Sequence, residues 1–162
     1  MPLPKENTKV NFLQGILTYC GTGSAESRSG MGIHLYSCNS SMDVNEAFYS
    51  ADGDLLIVPQ LGNLNITTEF GKLYVTPWEI VVIPRGVKFN VEVEGNSRGY
   101  FCEIFNGHFR PCERGPIGSN GLANERDFFA PVAWFEDRKC EFKVTLKFAG
   151  NSKYNYLFNI NN

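Results

Sequence analysis

Between residues 33 and 105 the apolar positions come in short bursts broken by polar ones, and they never settle into a helical stripe. Runs at 33–38, 47–49, 54–59, 63–69, 72–75, 79–84, 88–93 and 99–105 carry the β-branched and aromatic residues that suit strands. Turn-forming groups separate most of them: Ala51-Asp52-Gly53, Leu61-Gly62-Asn63, Phe70-Gly71 and Glu94-Gly95-Asn96. Short strands at this spacing predict an all-β barrel or sandwich. Upstream, 12–19 reads as one more strand, and the Gly- and Ser-rich CGTGSAESRSGMG at 20–32 reads as a loop. Residues 110–131 lack periodicity and are rich in Gly and Pro, as a long ordered arm would be. Strand character returns over 133–148, and the one place for a short helix is 124–128. The chain thus divides into a polar, mobile start at 1–10, a barrel at 11–109, an arm with closing strands at 110–150, and an Asn-rich tail at 151–162.

Composition narrows the function classes. With 162 residues, 43% of them apolar, the chain is one domain's worth and can bury a core. The net charge of −2 and the lack of a basic block give no support to nucleic-acid binding. No apolar run approaches the roughly 18 residues of a membrane helix, and MPLPKENTKV has no signal-peptide core. A cytoplasmic location is the expectation. The five cysteines are odd in number and lack a C-x-x-C pair, which suits scattered reduced thiols rather than a disulfide frame or a zinc site.

The stretch EIVVIPRGVKF, residues 79–89, is the most telling short motif. Together with Gly62 and Gly71 it is similar to the core of a cupin, a small double-stranded β-barrel. In Ile83-Pro84-Arg85-Gly86, proline holds the chain extended at a sheet edge and glycine permits the sharp return. Metal-binding cupins place a histidine three residues after that glycine; here the position is Phe89. Counting back from Gly62, the glutamate position is Leu55, and the two remaining histidine positions are Phe48 and Ser50, or Tyr49 and Ala51. None of these side chains replaces an imidazole on a divalent metal. The barrel is therefore expected to be filled with apolar side chains, Phe89 among them. The two histidines could in principle join a carboxylate in a His34–Glu103–His108 iron site. The plainer reading is one hydrogen-bonded strand histidine and one on the surface. Cys102 reads as buried rather than activated. The cluster Glu136-Asp137-Arg138 reads as a solvated turn or an interface ion pair.

Longer stretches point to one family. GPIGSNGLANERDFFAPVAWFEDR at 115–138 is too long and irregular for β-patterning to explain. With LTYCGTGS, GIHLYSCNSSM, ADGDLLIVPQLGNLNITTEFGKL, VIPRGVKF and RGYFCEIF in the same order, the chain resembles the homogentisate 1,2-dioxygenase family over most of residues 4–150. The resemblance implies an iron(II) enzyme of tyrosine and phenylalanine breakdown that opens the homogentisate ring with O2 to give maleylacetoacetate. It also implies a homo-oligomer, a trimer or a dimer of trimers. Family members are several-fold longer and hold iron through two histidines and a glutamate of a C-terminal cupin-like part. No position here matches those ligands, so no catalytic, cofactor-binding or metal residue is carried over, and no iron is expected on this chain alone. It is expected to be a gene fragment, a truncated chain or a stand-alone remnant, inactive by itself. A metal-free cupin serving as a binding or structural module is the alternative. The arm, with Trp134 and Phe135 as anchors, is expected to pack on another domain or subunit.

Overall fold

The computed structural model describes residues 1–110, 127–137 and 139–159, the last nine as backbone only. Eleven strands form two sheets, and the described residues contain no α-helix. The strands are β1 (Ile16–Ser24), β2 (Ser29–Cys38), β3 (Glu46–Ser50), β4 (Asp54–Leu61), β5 (Leu64–Thr68) and β6 (Gly71–Val75). They continue with β7 (Val81–Ile83), β8 (Phe89–Glu92), β9 (Ser97–Ile104), β10 (Glu141–Phe148) and β11 (Asn151–Asn159). One sheet runs β1-β2-β9-β4-β7 and the other β11-β10-β3-β8-β5-β6.

The pairing is nested. β5 pairs with β6, β4 with β7, β3 with β8 and β2 with β9, all antiparallel, and successive pairs alternate between the two sheets. A long hairpin folded over itself in this way gives a jelly-roll barrel with its core between the sheets. Inward positions recur every second residue, as the pleat requires. Ile57, Leu64, Ile66, Phe89, Val91 and Phe101 fill the interior with Phe12 and Tyr36. Pro84 and Gly86 turn the chain from β7 toward β8, and Gly86 has φ 87°, a conformation that favours glycine.

Three expectations need correction. Residues 20–32, expected to be a loop, are mostly a β1–β2 hairpin, with only the four residues between Ser24 and Ser29 at its tip. Glycine has low strand propensity, but here it permits a close ladder. Gly23 and Gly30 are direct partners, both at positive φ, and a side chain on either would run into the carbonyl of Ser29 or Thr22. The strand expected over 133–148 begins only at Glu141; before it the chain makes one bridge, Val132 to Lys72 at the free edge of β6. The first residues, expected to be mobile, are tied down: Asn39 bonds Thr8 and Val10, and Ser37 Oγ donates to the Pro2 carbonyl. The helix expected at 124–128 and most of the arm at 115–138 lie outside the described residues. The Asn-rich stretch 151–159 forms β11 against β10.

Candidate functional site

The place to look in such a barrel is its interior. Phe48 and Phe89 are register partners on β3 and β8, and their rings meet edge to face with centroids 5.6 Å apart. Leu55, on β4, belongs to the same buried cluster. Three of the positions where a metal cupin carries ligands thus form continuous aromatic and aliphatic packing. Tyr49 and Ala51 are only partly buried.

Ser50, the fourth inward position, opens onto a polar cluster instead. Its hydroxyl donates to Glu103 Oε1 at 2.6 Å, and Lys147 Nζ reaches Glu103 Oε2 at 2.6 Å. Lys147 also bonds Asp52 Oδ2 at 2.9 Å, and Asp52 accepts the backbone N–H groups of Ala149 and Gly150. His34 Nε2 faces Glu103 Oε2 at 3.4 Å, an electrostatic contact rather than a closed hydrogen bond. Its Nδ1 meets Thr18 Oγ1 at 3.0 Å and its ring stacks on Phe101. Glu103 is fully buried. Burial pushes its carboxyl up, but the His34 ring, the Lys147 ammonium and the Ser50 hydroxyl outweigh burial and hold it below the usual range. These side chains come from β1, β2, β3, β9, β10 and the β3–β4 turn.

His108 does not join them. Its Nδ1 lies 3.1 Å from Asp54 Oδ1. Asp54 is buried and also accepts the N–H groups of Arg85 and Phe109, so it braces the Pro84-Arg85-Gly86 turn against the strand exit at 108–109. The structure therefore brings His34 to Glu103 and separates both from His108. Among the described residues no cluster of three His, Cys, Asp or Glu side chains suits a metal. Each oxygen of Glu103 already accepts a hydrogen bond, one from Ser50 and one from Lys147, whose ammonium stands where a cation would sit. The residues present do not fit an iron centre.

Of the described cysteines, Cys38 is buried, Cys102 and Cys140 are half-buried and Cys20 is exposed. Burial pushes the Cys38 thiol up to about 11, and burial with the neighbouring Glu103 charge raises that of Cys102, which is half-buried rather than buried. Outside the barrel, on the second sheet, a cleft of about 270 Å³ is lined by Thr67, Lys72, Asn90 and Trp134, among others. Lys72 Nζ sits 3.9 Å over the Trp134 ring. Trp134 is 41% and Phe135 86% exposed, so neither is a buried anchor in this chain.

Sequence reasoning missed Lys147, Asp52 and Asp54. Ser50 was counted, but as an empty ligand position. Lys147 is one of three charged residues in β10, with Glu141 and Lys143, and its register against β3 is not readable from spacing.

The fold defines a class: a jelly-roll barrel of the cupin kind, with an apolar core between its sheets. The family model described as homogentisate 1,2-dioxygenase N-terminal matches residues 1–159, and the chain belongs to this family. Curated relatives named homogentisate 1,2-dioxygenase are 57% identical over 148 residues in Drosophila melanogaster and 54% over 150 in Caenorhabditis elegans. The one in Homo sapiens is 52% identical over 138 residues. The alignments cover 91%, 93% and 85% of this chain but only 34%, 34% and 31% of the relatives. The chain thus spans about a third of the length of the curated relatives it matches. Among solved structures, a cupin superfamily protein from Desulfitobacterium hafniense is 16% identical with a TM-score of 0.49, covering 64% of this chain and 83% of that one. An RmlC-like cupin with a double-stranded β-helix fold from Methanocaldococcus jannaschii is 15% identical, with a TM-score of 0.45 over 63% and 86%. No helix among the described residues is long and apolar enough to cross a membrane.

Proposed function

We propose that this chain is the non-catalytic N-terminal barrel of a homogentisate 1,2-dioxygenase. It supports an enzyme whose iron, homogentisate and O2 are handled by polypeptide beyond the matched third. One observation carries this reading. In a chain of the dioxygenase family, Phe48, Leu55 and Phe89 occupy the barrel positions that would have to carry metal ligands. Ring opening of homogentisate to maleylacetoacetate needs a redox metal site, and these side chains offer no lone pair for one. The barrel instead supplies a rigid body, closed by the Lys147 cluster and packed around Phe12, Tyr36 and Phe89. The reading places the protein in the cytoplasm and in a homo-oligomer, a trimer or a dimer of trimers.

The test is a chimera in which residues 1–159 replace the matching third of the Drosophila melanogaster relative. With Fe(II), homogentisate and O2, the chimera is expected to form the ring-opened product and this chain alone is not. Turnover by the isolated chain, or a folded iron-loaded chimera that is inert, would contradict the reading.

A further inference from the structure

The two sheets of the barrel treat solvent differently. On the second sheet the outward positions are largely polar, with Asn65, Thr67, Lys72, Asn90 and Glu92 among them. This is the ordinary pattern of an antiparallel sheet with one wet face. The first sheet breaks it. One outward row, read across β1, β2, β9 and β4, is Leu17, Leu35, Tyr100 and Val58. The next, across β2, β9, β4 and β7, is Ile33, Cys102, Leu56 and Val82. Neither row contains a charge. Leu17 is 53%, Tyr100 43% and Val82 38% exposed. Sulfur contact between Cys102 and Met31 extends the apolar surface toward the β1–β2 hairpin. A continuous face of this kind marks an interface rather than scattered surface apolarity.

We infer that the outer face of the β1-β2-β9-β4-β7 sheet is covered in the whole enzyme by homogentisate dioxygenase polypeptide from outside the matched third. This inference rests on the function proposed above. Three observations select that occupant over a second copy of this chain. The curated relatives carry about two thirds of their length outside the match. β4 is apolar on both sides through Leu-Leu-Ile-Val-Pro, the pattern of a strand buried on both faces, and of these only Leu56 is still partly open in this chain. The chain's own N-terminus already covers one end of the face. Ser37 donates to the Pro2 carbonyl and Arg98 to the Met1 carbonyl. Val58, at the β4 end of its row, is buried, while among the described residues Leu17, Tyr100 and Val82 stay exposed beyond the Arg98 rim. The partner surface is correspondingly apolar and uncharged.

Cys102 stands in the middle of the face and reports on it. Alkylation of native protein, followed at the Cys102 peptide by mass spectrometry, is compared between this chain and the Drosophila melanogaster chimera. In the chimera the thiol is expected to react at least about tenfold more slowly, being reached only by local opening. A catalytically active chimera whose Cys102 reacts as fast as in the isolated chain overturns the inference and leaves the proposed function standing. An inert chimera with a protected Cys102 does the reverse. Protection in the isolated chain that rises with concentration to the chimera's level makes a second copy the occupant, and the inference fails. Tyr100→Lys/Val82→Lys in the isolated chain gives an answer that does not depend on the chimera folding. A free face leaves the melting midpoint within about 4 °C. Loss of the fold would show that the face is already packed within this chain.

Discussion

Phe89 shows at the scale of one residue how the barrel interior is packed. A histidine there would need a metal or a partner for its buried ring; a phenylalanine needs only neighbours, and it has Phe12 and Phe48 at edge-to-face distances. The interior at this point is 1% accessible, so no water replaces a removed ring. Phe89→Ala is expected to cost about 3–5 kcal/mol in urea melts, as truncation of a buried aromatic does. Phe89→His is also expected to destabilise, because it buries a polar ring against the aromatic rings of Phe12 and Phe48. A loss below about 1 kcal/mol for the alanine variant would place the ring outside the core.

At the scale of elements, the decisive contact is the one that fastens β10 to the barrel. β10 joins β3 in parallel, and Lys147 reaches from it into the buried Glu103–Asp52 cluster. Lys147→Met leaves two buried carboxylates without their cation and is expected to cost about 3–5 kcal/mol. The cluster also gives stability a pH dependence of definite sign. The Glu103 carboxyl is held below the ordinary glutamate value, so its contribution is complete above that value. It is lost as pH falls through the depressed one. Urea midpoints from neutral pH into the acid range are expected to fall more steeply for the wild type than for Glu103→Gln; parallel curves would contradict the cluster's role. Much of this scale was legible beforehand. The strands from β2 to β9 follow from alternation and from turns such as Ala51-Asp52-Gly53. The empty ligand positions follow from counting around Gly62 and Gly86. The β1–β2 hairpin did not show, because its glycines signal a loop by propensity and a close ladder only by pairing. Nor did the Lys147 cluster, because a parallel register between strands 97 residues apart leaves no mark in local spacing. The uninterrupted apolar run in β4 was visible, but its meaning depends on which face of the sheet lies bare.

At the scale of the molecule, the barrel is one body with two unlike outer surfaces and an apolar core beside a buried polar cluster. The wet sheet carries the cleft beside Trp134, while the other sheet leaves Leu17, Tyr100 and Val82 exposed. Both features suit a domain that holds its place in a larger enzyme and leaves the redox chemistry elsewhere. The most direct test of that division of labour is the iron content of the purified chain after anaerobic loading with Fe(II) and desalting. The account predicts far less than one iron per chain, unchanged by His34→Ala or His108→Ala, since neither histidine shares a ligand set with the other. One iron per chain, lost in either variant, would contradict it and return the catalytic metal to this barrel.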